Sequence, residues 1–274
     1  ATSLRTWALA ASRERLGTAG LAAIVMVVKR GIAGASGSGV VPQKPQPRLG
    51  KARLLLCSSL SAAASVPLRA LLEAWLTERK GRTALYVPTA LALKPDFDHR
   101  AAVVRSNLEA TLGVPVEALE LDDYAKAAIF DERGQARPDE GAVAELGARV
   151  AEASMLIVGG GNTFYLQAAV RSSGFAQVAG RHVGSLGMPY VGQSAGAIVA
   201  GETVSTAFWK GWDDPGAAPR FDFAGDAELC RGMDLLDGRA IFPHYVHDEH
   251  AELLERRRGE LAQPKHLVAL AEDE

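Results

Sequence analysis

Several features that would assign a chain of 274 residues to a class at once are scarce here. Cys57 and Cys230 are the only cysteines, and they stand far apart, which rules out a disulfide framework; no C-x-x-C pair offers a zinc site. A net charge of −2 gives no basis for nucleic acid or an anionic membrane as partner. No stretch reaches the ~18 consecutive apolar residues of a membrane-spanning helix. Aromatic residues make up 6% of the chain and apolar residues 48%, so the core has to be built largely of Ala, Leu and Val. No internal repeat is present, and the sequence is silent on oligomeric state.

Acids are nearly missing from residues 1–50. Glu14 is the only one, against Arg5, Arg13, Arg15, Lys29, Arg30, Lys44 and Arg48. This stretch is rich in Ala, Ser and Gly, and its part from Gly31 to Pro47 has the composition of a flexible linker. A basic, Ser-containing, acid-poor segment reads as a transit-like extension or linker, which would place the protein in the cytoplasm or in a plastid or mitochondrion. The apolar piece Ala19 to Val28 is too short to span a bilayer. The chain begins at Ala1 rather than Met.

From Lys51 the pattern turns regular, and residues 51–274 read as one α/β domain. Arg53 to Ser58, Thr83 to Pro88, Val116 to Leu121, Met155 to Val158, Arg239 to Phe242 and His266 to Ala271 are short apolar runs, read as strands. Between them lie Pro67 to Arg79, His99 to Leu112 and Asp139 to Ala153, read as helices. In the first of these, Leu68, Leu71, Leu72, Trp75 and Leu76 share one face. Asp122 to Pro138 is polar and reads as loop. Nearly all-apolar strands alternating with helices imply a parallel sheet covered on both faces.

Three stretches carry chemistry. In Gly192-Gln193-Ser194-Ala195-Gly196 an apolar run gives way at once to a small-residue helix start, the G-x-S-x-G pattern of a nucleophile elbow. Such a turn holds the Ser hydroxyl clear of the backbone and aims the Ala195 amide at a developing oxyanion. The bland reading is a helix start with Ser194 as an ordinary N-cap. Gly159-Gly160-Gly161-Asn162-Thr163 follows a strand, where ligands sit in parallel sheets. It is neither a Walker loop nor a dinucleotide fingerprint. Its function would be to set a backbone oxyanion donor opposite Ser194, with Asn162 or Thr163 capping the next helix. Pro243-His244-Tyr245 ends another strand and offers His244 as a base. Its neighbours His247 and His250 allow a metal site as a remote alternative.

The acids between Ser194 and His244 sit on no clear strand end, whereas Glu272 and Asp273 follow a strand directly. The order Ser, His, Glu is the better geometric choice, with Glu272 orienting the imidazole.

Taken together, Val158 to Leu166, Gly187 to Ala197 and Phe242 to Tyr245 resemble peptidase E, the aspartyl dipeptidase family of serine peptidases related to cyanophycinase. The resemblance covers most of residues 51–274. It implies a flavodoxin-like, class I glutamine amidotransferase-like α/β fold, with Ser194 as nucleophile, His244 as base and Glu272 as acid. It also implies a short peptide substrate with an N-terminal Asp and no metal or organic cofactor. The oxyanion would be held by Ala195 and the Gly160 and Gly161 turn. Asn162, Thr163, Thr206 and Asp213 are the candidates for substrate contact, with Lys210 a further one for a substrate carboxylate; an Asp of the 213–214 loop is the rival for the acid. The alternatives are a cyanophycinase-like specificity or an inactive relative that binds without cleaving. Relatives continue past the acid, whereas this chain stops at Glu274, so it reads as a possible fragment.

Overall fold

Apolar runs of four to six residues with no polar face must be covered on both sides. In the computed structural model, which describes residues 23–28, 52–60, 66–79, 82–132, 135–261 and 266–271, they are. Strands β1 (Ala23–Val28), β2 (Ala52–Cys57), β3 (Ala84–Val87), β4 (Val116–Ala118), β7 (Met155–Val158) and β8 (Pro189–Gln193) form one sheet in the order β1-β2-β8-β7-β3-β4. All its pairings are parallel except β1 with β2. Six residues of the stretch that composition sets apart therefore join the sheet as its antiparallel edge.

Alternate strand residues face opposite layers, as the pleat requires. Leu54, Leu56, Leu85, Val87, Leu156 and Val158 point to one side. There they meet helices α3 (Leu121–Ala125), α4 (Glu140–Ala151), α5 (Thr163–Ser172), α6 (Phe175–Ala179) and α7 (Ala195–Ala200). Leu55, Tyr86, Met155, Ile157 and Val191 point to the other, against Leu72, Trp75 and Leu76 of α1 (Val66–Thr77) and Leu108 and Leu112 of α2 (Phe97–Leu112). Cys57 is fully buried at the end of β2.

The 122–138 stretch corrects the loop expectation. Leu121 opens the short α3, and a hairpin of β5 (Ile129–Phe130) and β6 (Ala136–Arg137) follows. Leu121 and Tyr124 are buried, so two large anchors suffice to fix a helix whose other residues are Asp122, Asp123 and Ala125. The preceding strand ends earlier than expected, at Ala118, because Leu121 already belongs to that helix.

A second, two-stranded parallel ladder pairs β9 (Ala240–Tyr245) with β10 (Leu267–Ala271), and α8 (His247–Arg257) lies between them in sequence. Among the described residues no helix is long and apolar enough to cross a membrane.

Candidate active site

Strand β8 ends at Gln193 and α7 begins at Ala195, so Ser194 alone makes the turn, at φ 49° and ψ −108°. That is a sparsely populated conformation for a residue with a side chain. The flanking glycines are sterically required. A Cβ on Gly192 would stand 2.7 Å from the Gly196 carbonyl oxygen and 2.8 Å from the Tyr190 ring. One on Gly196 would collide with the Val158 backbone carbonyl. Two hydrogen bonds fasten the turn: buried Tyr190 Oη donates to the Gly196 oxygen at 2.7 Å, and the Ser194 N–H donates to the Cys57 oxygen at 2.9 Å. The Ser194 side chain makes no capping bond to α7, which removes the N-cap reading. Its Oγ lies instead 2.8 Å from His244 Nε2.

His244 belongs to the last part of β9 and is itself strained, with φ 54°. Both polar groups of its backbone are held by side chains. The N–H donates to Ser58 Oγ at 2.8 Å. The carbonyl accepts from Lys210 Nζ, which also donates to the Pro243 oxygen at 2.6 Å. The Lys210 ammonium sits 4.3 Å from the Trp212 ring centre and 4.4 Å from that of Phe242. Trp212 is 65% exposed and stands beside the imidazole, ring centres 5.8 Å apart. Beside β9, strand β10 runs parallel with Ala271 opposite Tyr245. Glu272 lies outside the described residues. The neighbouring histidines do other work. His250 Nδ1 accepts the Val246 N–H at 2.9 Å, and burial holds its imidazole below the usual range. His247 is exposed beside Asp248. Among the described residues no group of three or more His, Cys, Asp or Glu could hold a metal.

The glycine turn after β7 packs on the elbow. A Cβ on Gly160 would lie 3.0 Å from Ser194 Cβ, so the turn faces the nucleophile directly. Its N–H points at Gln193 Oε1 over a long 3.4 Å. Gly161, at φ 145°, runs so close to the Ala90 carbonyl that no side chain fits there.

Asn162 and Thr163 reach the cleft through a neighbouring loop. Asn162 Oδ1 caps α5 by accepting the Tyr165 N–H at 2.8 Å, while its Nδ2 donates to the Asp214 oxygen at 3.0 Å. The Thr163 N–H donates to Asp213 Oδ2 at 3.1 Å. Asp213 lines the cleft with Ser194, Lys210, Trp212 and His244. Burial raises its carboxyl above the ordinary value, against the lowering effect of the Thr163 hydrogen bonds. Thr206 also lines the cleft, but its buried hydroxyl donates to the Ile241 oxygen at 2.6 Å. Ser58 and Tyr190 went unnoticed in the sequence. Tyr190 is an ordinary strand residue and Ser58 the first residue past a strand, and the partner of each lies elsewhere in the chain.

The profile of peptidase family S51 matches residues 54–273. An uncharacterized peptidase of Pasteurella multocida (strain Pm70) is 30% identical over 115 residues, which is 42% of this chain and 50% of that protein. The chain thus spans about half the length of the curated relative it matches. Among solved structures, a Listeria monocytogenes EGD-e protein assigned to peptidase E superposes with a TM-score of 0.54 at 21% identity, covering 80% of this chain and 89% of the other. A peptidase from an acI-B1 actinobacterium gives 0.49 at 18% identity, over 82% and 81%. The likeness to the Listeria structure agrees with the flavodoxin-like, class I glutamine amidotransferase-like fold expected from the sequence.

Proposed function

We propose, from the premise that the chain belongs to peptidase family S51, that it is a serine exopeptidase cleaving short peptides that begin with Asp. The observation that carries this is the 2.8 Å approach of His244 Nε2 to Ser194 Oγ at a strained strand-to-helix turn. In this reading Ser194 Oγ attacks the peptide carbonyl while His244 takes its proton, and the same imidazole then protonates the leaving amine. Water hydrolyses the acyl-enzyme by the reverse proton path. Glu272, the residue directly after β10, fixes the imidazole tautomer. The oxyanion is held by the Ala195 N–H, which as the first amide of α7 has no intrahelical acceptor, and by the Gly160–Gly161 turn. The long bond from Gly160 N–H to Gln193 is one that an oxyanion would readily replace.

Two charges support an exopeptidase with an acidic preference. The Asp213 carboxylate, held by Thr163 and by the Asn162–Asp214 contact, would take the free α-amino group. The Lys210 ammonium, on the cleft wall beside Trp212, would attract the substrate carboxylate. Thr206 would shape the wall between them. Hydrolysis of Asp-p-nitroanilide beside the Ala and Leu compounds, with Ser194→Ala as control, tests the reading. Release from the Asp compound that vanishes in the variant is expected. Release only from another compound would keep the mechanism and overturn the acidic preference, and none from any would favour a cyanophycinase-like specificity or an inactive binder.

A further inference from the structure

The nucleophile and its base are carried by different ladders. Ser194 follows β8 of the six-stranded sheet, whereas His244 lies on β9 of the separate two-stranded one. Their 2.8 Å separation therefore depends on what fixes one ladder against the other. The end of β2 does so. Cys57 offers its carbonyl to the Ser194 N–H, and the next residue, Ser58, turns to the second ladder. Ser58 Oγ accepts the His244 N–H at 2.8 Å and donates its own proton to the Leu270 carbonyl of β10 at 3.2 Å. The hydroxyl is fully buried and uses both its donor and an acceptor position.

We infer that Ser58 is a positioning residue: its hydroxyl fixes both the His244 backbone and β10, the strand that leads to Glu272, against the strand end that anchors Ser194. This rests on the reading of Ser194 and His244 as the reacting pair. A residue at φ 54° keeps that conformation only while its surroundings over-determine it. Here Lys210 holds the carbonyl side and Ser58 the amide side. Without the hydroxyl, the His244 N–H loses its bond to Ser58 and the imidazole loses its aim. A misplacement on the order of 1 Å costs about 100-fold in rate.

The test uses the full chain and a fluorophosphonate probe, with the labelled residue located by mass spectrometry. The labelling rate is followed against pH, which reads out the general base that activates Ser194. Ser58→Ala and the volume-conserving Ser58→Cys are expected to react roughly 10- to 100-fold more slowly than wild type, with a displaced pH midpoint. Ser58→Thr, which keeps the hydroxyl, is expected to recover most of the rate. A role in packing alone would lower the melting temperature and leave rate and midpoint in place. Wild-type rate and midpoint in both Ala and Cys variants overturn the inference; if the Ala variant does not fold, the Cys variant decides. Failure of the wild-type chain to label at Ser194 would overturn the functional reading, and this inference with it.

Discussion

Strain at the elbow predicts that the nucleophile is a liability for stability. Ser194 sits at φ 49° and ψ −108°, a conformation that costs a residue with a Cβ on the order of 1–3 kcal/mol. Ser194→Ala keeps the Cβ and hence the strain, while Ser194→Gly releases it. Against that gain stand about 0.4–1 kcal/mol for the freer unfolded glycine and a few tenths for the half-buried methylene. Glycine should therefore exceed alanine by about 1 kcal/mol. For a chain of this size that corresponds to a melting temperature roughly 2–4 °C higher. Both variants lose hydrolysis by a factor on the order of 10⁶ if Ser194 is the nucleophile. Paired thermal melts in one buffer, with fluorophosphonate labelling as the activity control, measure the two effects separately. An alanine variant that melts at or above the glycine variant would refute the strain argument, because no other difference between them favours glycine.

Four further outcomes follow from the same geometry. Gly160→Ala places a methyl 3.0 Å from Ser194 Cβ, in the space where the oxyanion would form. Hydrolysis should fall by about 100-fold or more with little change in melting temperature, as steady-state rates beside a melt would show. Gly196→Ala drives its methyl into the Val158 carbonyl, where only backbone could yield; denaturant unfolding should register a loss of about 3 kcal/mol. At Asp213, burial raises the carboxyl, so its stability contribution is full below the unfolded value of about 3.9 and is lost as pH climbs through the raised folded value. Asp213→Asn should thus match wild type at acidic pH and gain on it as pH rises, while its KM for peptides increases; melts across pH and Michaelis curves check both halves. Glu272→Gln should instead lower kcat by up to about 10⁴-fold with KM little changed, and the two variants together decide which acid orients the imidazole.

Much of this arrangement could be read from residue types alone, and the reason is local. Leu54 to Leu56 and Met155 to Val158 are apolar without alternation, which only a strand buried on both faces tolerates. Gly192 and Gly196 announce the elbow because no side chain fits at either position. Pro243-His244 reads as a strand end, and the fold brings that end to Ser194. Short elements escaped. The five residues Leu121–Ala125 and the hairpin after them are held by contacts with the rest of the fold, not by their own periodicity.

What the sequence hid at the site is of another kind. Ser58 and His244 are 186 positions apart, and Tyr190 Oη reaches across the elbow to a carbonyl it does not adjoin in sequence. A serine at a strand end looks the same whether it faces solvent or ties two ladders together. The chemistry of this cleft belongs to side chains whose types can be recognised, but its geometry rests on backbone groups held by side chains from elsewhere. The strained amides of Ser194 and His244 are both secured by consecutive residues, Cys57 and Ser58, at the end of one strand. The end of β2 is thus a point at which the two ladders become one site.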